Sequence, residues 1–284
     1  MMFLNQLTLL LIPSIAFAEI IGGLRGRRNA LDIRITEFEA AQTFRITVFD
    51  DLVRQDDGTF VNVEHIVSTP VINGVETSDF YLIELPQDII ESHAEDLQQG
   101  RLFISVAGTH NDGETVTIED GAVIQVLDES PLTRRKLSGT VGQRSVAALR
   151  VSMRDGPTNM RHVEYNRQQI EEQLFKSDVS IVNQFSLCSG RDLSISPAGV
   201  FEVTVTGMWS DWSSPAQLRN EALRLLAENY NVPSANHLAD HVAVILPPNE
   251  WPGFVGNAGV NHWVSTLNNL WSLDVMVYMH ELGR

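Results

Sequence analysis

The hydrophobic pattern of this chain changes period once, and that change limits its fold more than any single motif does. Through residues 31–126 apolar side chains alternate with polar ones, as in Phe44, Ile46 and Val48, which is the spacing of strands with one buried face. Asp56-Asp57-Gly58, Asn73-Gly74, Asp112-Gly113 and Asp120-Gly121 punctuate the runs with turn chemistry. Strands are expected at 80–85, 102–107, 115–118 and 122–127, with β structure throughout this half. Short strands between glycine turns predict a sandwich- or barrel-like first domain. Beyond residue 146 the reading turns mixed. Strands are expected at 146–153, 179–185, 199–206 and 241–246, and helices at 162–176 and 273–282. A further helix starts at Ser214-Pro215, an N-cap followed by proline at the first helical position. Strands alternating with helices predict a layered α/β region with a mostly parallel sheet. The expected class is therefore α+β.

Between these halves, residues 128–142 are polar, contain Pro131 and Gly139, and carry the basic triplet Arg134-Arg135-Lys136. Such a segment is expected to be a linker, and the triplet is a candidate processing site. At the other end of the first half, Leu9-Leu10-Leu11-Ile12 sits in a short apolar run that closes on Ala16-Phe17-Ala18. This is the form of a secretory signal cut after Ala18, and the run is too short to span a membrane. The organisation expected is a signal at 1–18, a β-rich acidic propeptide domain at 19–130, a linker at 131–143 and a second domain at 144–284. Net charge is −16, and residues 19–136 hold 22 acidic against 10 basic side chains. That surface argues against nucleic acid as a partner; it suits an extracellular setting or a basic partner surface, and solubility alone accounts for it. No later stretch has the roughly 18 apolar residues of a membrane span, so a secreted, extracellular protein is expected. The sequence does not indicate an oligomeric state.

The last residues carry the chemistry. His280-Glu281-Leu282-Gly283-Arg284 begins like His-Glu-x-x-His, in which two histidines four apart on a helix face one zinc and the glutamate is the general base. His280 is thus a candidate zinc ligand and Glu281 a candidate catalytic base. Arg284 stands where the second histidine belongs, and a guanidinium offers no lone pair to a metal. The lone Cys188 is open to three readings: a disulfide partner elsewhere, a metal-capping thiol, or an inert core thiol. The expectation is the last, with Cys188 buried at the end of the 179–185 strand. His237 and His241 have ligand spacing only on a helix, and His241 reads as strand. His262 beside Trp263 fits a packing role, and His65, His93 and His110 are expected at the surface.

Four stretches resemble the gametolysin family of secreted zinc metallopeptidases. They are Gln184-Phe185-Ser186-Leu187-Cys188-Ser189-Gly190 followed by Ile195-Ser196-Pro197-Ala198, Asp240-His241-Val242-Ala243-Val244-Ile245-Leu246-Pro247-Pro248, Gly256-Asn257-Ala258-Gly259-Val260-Asn261-His262-Trp263-Val264-Ser265, and Val277-Tyr278-Met279-His280-Glu281-Leu282-Gly283. They occur in family order across residues 184–283. The resemblance implies a zinc-dependent endopeptidase precursor acting on extracellular protein or glycoprotein. The second domain would then be the N-terminal half of a zincin-like catalytic domain, with Zn2+ as cofactor. The family completes its zinc site within His-x-x-Gly-x-x-His, which this chain does not carry in full, so the 284-residue chain is expected to be inactive. The other reading is a non-catalytic secreted binding protein that keeps the peptidase scaffold.

Overall fold

The strand alternation of the first half is realised as a set of antiparallel hairpins. The computed structural model describes residues 36–38, 41–77, 79–112, 114–119, 121–127, 142–154, 159–212, 214–248, 254–259 and 262–282. Ala18, Arg134, Arg135, Lys136 and Arg284 lie outside them. The first half contains β1 (Thr36–Phe38), β2 (Gln42–Arg54), β3 (Phe60–Ile72), β4 (Val75–Glu76) and β5 (Tyr81–Ile83), then β6 (Leu102–Val106), β7 (Thr109–Asn111), β8 (Thr115–Ile118) and β9 (Ile124–Val126). β2 and β3 form a long hairpin across the Asp56-Asp57-Gly58 turn. There Gly58 takes φ 84, and Asp57 accepts hydrogen bonds from the Thr59 amide and hydroxyl. β2 also pairs with β6 on its other side. The apolar alternates of these strands, including Phe44, Ile46, Leu102 and Ile104, fill a core of their own. One expectation fails here. The half is not β throughout, because α1 (Gln87–Ser92) and α2 (Ala94–Gln98) follow Pro86. Their apolar residues are spaced so that Leu97 alone is buried, and a period-two reading cannot register that.

The second half is the layered mixture that its pattern predicts. Its strands are β10 (Gly142–Arg154), β11 (Met160–Arg161), β12 (Leu193–Thr206), β13 (His241–Leu246), β14 (Phe254–Gly259) and β15 (Val264–Asn268). β10 is parallel to both β12 and β13, and β13 is parallel to β15. Only β14 and the short β11 run antiparallel to their neighbours in this layer. In β12, Pro197 stands opposite Val146 and Gly199 opposite Ala147, so Ala198 is the extra residue of a bulge. The helices are α3 (Arg167–Glu171), which continues as a π-helical turn over Glu172–Lys176, then α4 (Ile181–Cys188), α5 (Pro215–Asn229) and α6 (Val275–Leu282). Ser214 caps α5 as its sequence predicts, accepting the Gln217 amide at 3.4 Å. The expected strand at 179–185 is instead α4. Ser180 caps it, and Ile181 and Phe185, four apart, turn to the same buried side.

Helix α5 covers one face of this layer, while α3, α4 and α6 cover the other. The two halves meet edge to edge through β2 and β14, which pair antiparallel from Phe254↔Val53 to Gly259↔Phe49. All described strands therefore join one 15-stranded sheet, and the described residues belong to a single compact unit. The linker expected at 131–143 lies almost wholly outside the described residues. The composition change around it marks a change of layering within one continuous sheet.

Candidate functional site

Helix α6 starts where Asp274 turns the chain. The Asp274 carboxylate accepts the Met276 amide at 2.9 Å, and its carbonyl takes those of Val277 and Tyr278. Val275, Val277 and Tyr278 then bury one face of the helix. The Tyr278 hydroxyl donates to the Ser272 carbonyl at 3.1 Å, and burial drives its pKa far above the usual phenol range. One turn further on, Glu281 falls on the same buried face and His280 on the exposed one. The helix thus sends its candidate base inward and its candidate ligand outward.

Glu281 is 2% exposed, and neither carboxylate oxygen has a hydrogen-bond partner. It lies over β14. A Cβ placed on Gly256 would come within 3.3 Å of Glu281 Oε1 and 3.0 Å of the Thr266 carbonyl, so glycine leaves the carboxyl its room. Burial, helped by the like charge of Asp51, pushes the Glu281 pKa up to about 8. Asp51 comes from β2. It accepts a hydrogen bond from Asn257 Nδ2 at 2.9 Å and lies 3.3 Å from His65 Nε2. Asn257 Oδ1 is buried without a partner. Two carboxyls, an amide and an imidazole are therefore gathered around the β2–β14 seam. The sequence reading singled out Glu281 alone, since Asp51 and His65 lie more than 200 positions away in the chain. The one local signal is Asp50-Asp51, an acidic pair between Phe49 and Leu52 where the alternation of β2 breaks.

The remaining candidates disperse. His237 is in a 3-10 turn and His241 on β13, where its Nε2 lies 3.0 Å from Ser265 Oγ. His262 is buried among Phe49, Phe80 and Trp263, with ring centroids 5.2, 4.8 and 5.8 Å away. Burial first, then the positive charge of Arg45 and Arg219, holds its pKa well below the usual imidazole value. A neutral ring stacked in this way packs the core. Cys188 departs from expectation, because it ends α4 and is exposed. A catalytic zinc needs three protein ligands and an open position. Among the described residues, no group of three His, Cys, Asp or Glu could hold a metal ion. His280 with its present neighbours does not fit that requirement, so no chemical step is assigned to zinc. What the site can do unaided is hold and release a proton at Glu281 near neutral pH. Among the described residues, no helix is long and apolar enough to cross a membrane.

No known family's sequence profile and no curated protein matches the chain. Among solved structures it is similar to p202 HIN1 in complex with 12-mer dsDNA, at 11% identity and a TM-score of 0.23, over 37% of this chain and 48% of that one. It is also similar to a structure described as "Molecular basis for abrogation of activation of pro-inflammatory cytokines", at 15% identity and a TM-score of 0.20, over 34% and 45%. The chain spans less than half the length of either, and likeness at this level carries no argument.

Proposed function

We propose that the chain is the precursor of a secreted, gametolysin-like zinc endopeptidase that acts on extracellular protein or glycoprotein. The observation that carries this reading is Glu281, a buried carboxyl with a raised pKa on the helix that follows the layer, next in sequence to His280. A carboxyl tuned toward neutrality is suited to general acid–base work. The mostly parallel strands β12, β10, β13 and β15, with β14 antiparallel beside them, support a zincin-like layer for the second half. On this reading the β-rich first half is the propeptide, and Glu281 is the group that holds and releases a proton. His280 would be one zinc ligand, the others coming from outside the described residues.

The test compares the 284-residue chain with one that has histidine at position 284 and continues through a complete His-x-x-Gly-x-x-His sequence from there. Bound zinc is measured by metal analysis and proteolysis with a labelled casein. The extended protein should bind zinc and cut casein, the present chain should do neither, and Glu281→Ala in the extended protein should keep zinc but lose activity. A zinc-loaded extended protein without proteolysis would favour the non-catalytic secreted binding protein.

A further inference from the structure

Where the two halves meet, each contributes groups that make no sense without the other. Arg219 on α5 is 2% exposed, yet the hydrogen bonds of its guanidinium go to the Asn220 side chain beside it. Its charge is accommodated by the first half. The guanidinium carbon lies 4.4 Å from the centroid of Phe80 and 5.6 Å from that of Phe49, so two aromatic faces replace water around the cation. Asn220 Nδ2 donates to the Phe80 carbonyl at 3.1 Å, which holds that segment against the helix. Phe49 is also fitted to β14. A Cβ on Gly259 would run into the Phe49 ring, so the strand has a glycine where the phenyl group passes. His262 and Trp263 complete the aromatic cluster around Phe80, and Asn257 ties Asp51 across the seam.

From this geometry we infer that residues 42–80 are a resident strand ligand of the 142–282 layer, docked non-covalently on β14 and locked by Arg219 between Phe49 and Phe80. They stay bound after the chain between the halves is cut. The recognised chemistry is an antiparallel strand that brings one aromatic ring over Gly259 and a second, from a neighbouring segment, over Arg219. A propeptide attached in this way is not discarded by scission alone. A second consequence rests on the peptidase reading. Extended peptides bind sheets by adding a strand to a free edge, and the edge of β14 beside Glu281 is already filled by Asp51 and Leu52. Cutting the linker would therefore leave that edge closed until β2 is displaced.

The experiment puts a site-specific protease sequence between residues 129 and 141 of the full chain and cuts it. The products are then followed by size exclusion and native mass spectrometry. The two pieces should travel as one species of full mass in native buffer and separate only in urea. Separation in native buffer would overturn the inference. Arg219→Met and Phe80→Leu, each first shown to melt cooperatively before cutting, should release the N-terminal piece at least tenfold faster after cutting. Release from both at the unmodified rate would overturn the lock. A fluorescent peptide of residues 42–54 should not exchange into the cut protein, and rapid exchange would show the edge to be open. None of these readouts involves zinc or proteolysis by the protein itself, so their outcome is separate from that of the peptidase test.

Discussion

A carboxyl held protonated by its surroundings makes stability depend on pH in a direction that can be worked out. Glu281 has a native pKa of about 8 against an ordinary value of 4.5. As pH rises past 4.5 the unfolded chain releases this proton while the folded chain keeps it, which favours unfolding. The stability tied to the neutral carboxyl is thus fully present below pH 4.5, is lost as pH rises toward 8, and changes no further above that. The slope approaches about 1.4 kcal/mol per pH unit for one proton. Urea midpoints at pH 5 and pH 8 should differ for the metal-free protein, and Glu281→Gln should remove most of the difference. Equal pH dependence in both proteins would mean that the carboxyl is solvated or partnered. Gly259 gives a second expectation at this scale. Gly259→Ala drives a methyl group into a packed ring and should cost about 1–3 kcal/mol, as overpacking usually does. Thermal or urea unfolding would measure it. The reason for glycine at this position cannot be read from the sequence, because Phe49 reaches it from 210 positions away.

Among the elements, the sequence was most legible where one face is wet and the other dry. The latter part of β12 and the capped helix α5 follow their alternation or their N-cap signal closely, whereas β2 buries Arg45 and Thr47 as well as Phe44 and Ile46, and Ser214→Ala should destabilise α5 by about 0.5–1 kcal/mol. Legibility failed at α4. Val179, Ile181, Val182 and Phe185 are residues of high strand preference, and only their packing, with Ile181 and Phe185 inward, decides for a helix. That error carried Cys188 with it. A thiol at the end of a buried strand would be shielded, whereas the same thiol at the end of α4 is exposed. Cys188 should therefore react with an aromatic disulfide reagent in the native protein at close to the rate of the unfolded chain. Slow labelling that speeds up only in denaturant would return it to the core. Less than half of the candidate site was legible on the same terms. His280 and Glu281 stand in a local motif, but Asp51, His65 and Asn257 reach the seam through strand pairing, which leaves no mark on local spacing.

For the molecule as a whole, the shared core of Phe49, Val67 and Phe80 with Leu218, Leu223, Val244 and Trp263 leaves little room for the halves to unfold one at a time. Circular dichroism and tryptophan fluorescence should report one coincident transition. Two separated transitions would mean that the seam between β2 and β14 is weak. That seam also sets a schedule. Asp51 and Asn257 are 206 positions apart, and ribosomes add roughly 5–20 residues per second. About 10–40 s therefore pass between the synthesis of β2 and that of its partner. For that time the nascent first half carries an open strand edge, so it has the longest wait, and the greatest need of a chaperone, just before β14 emerges.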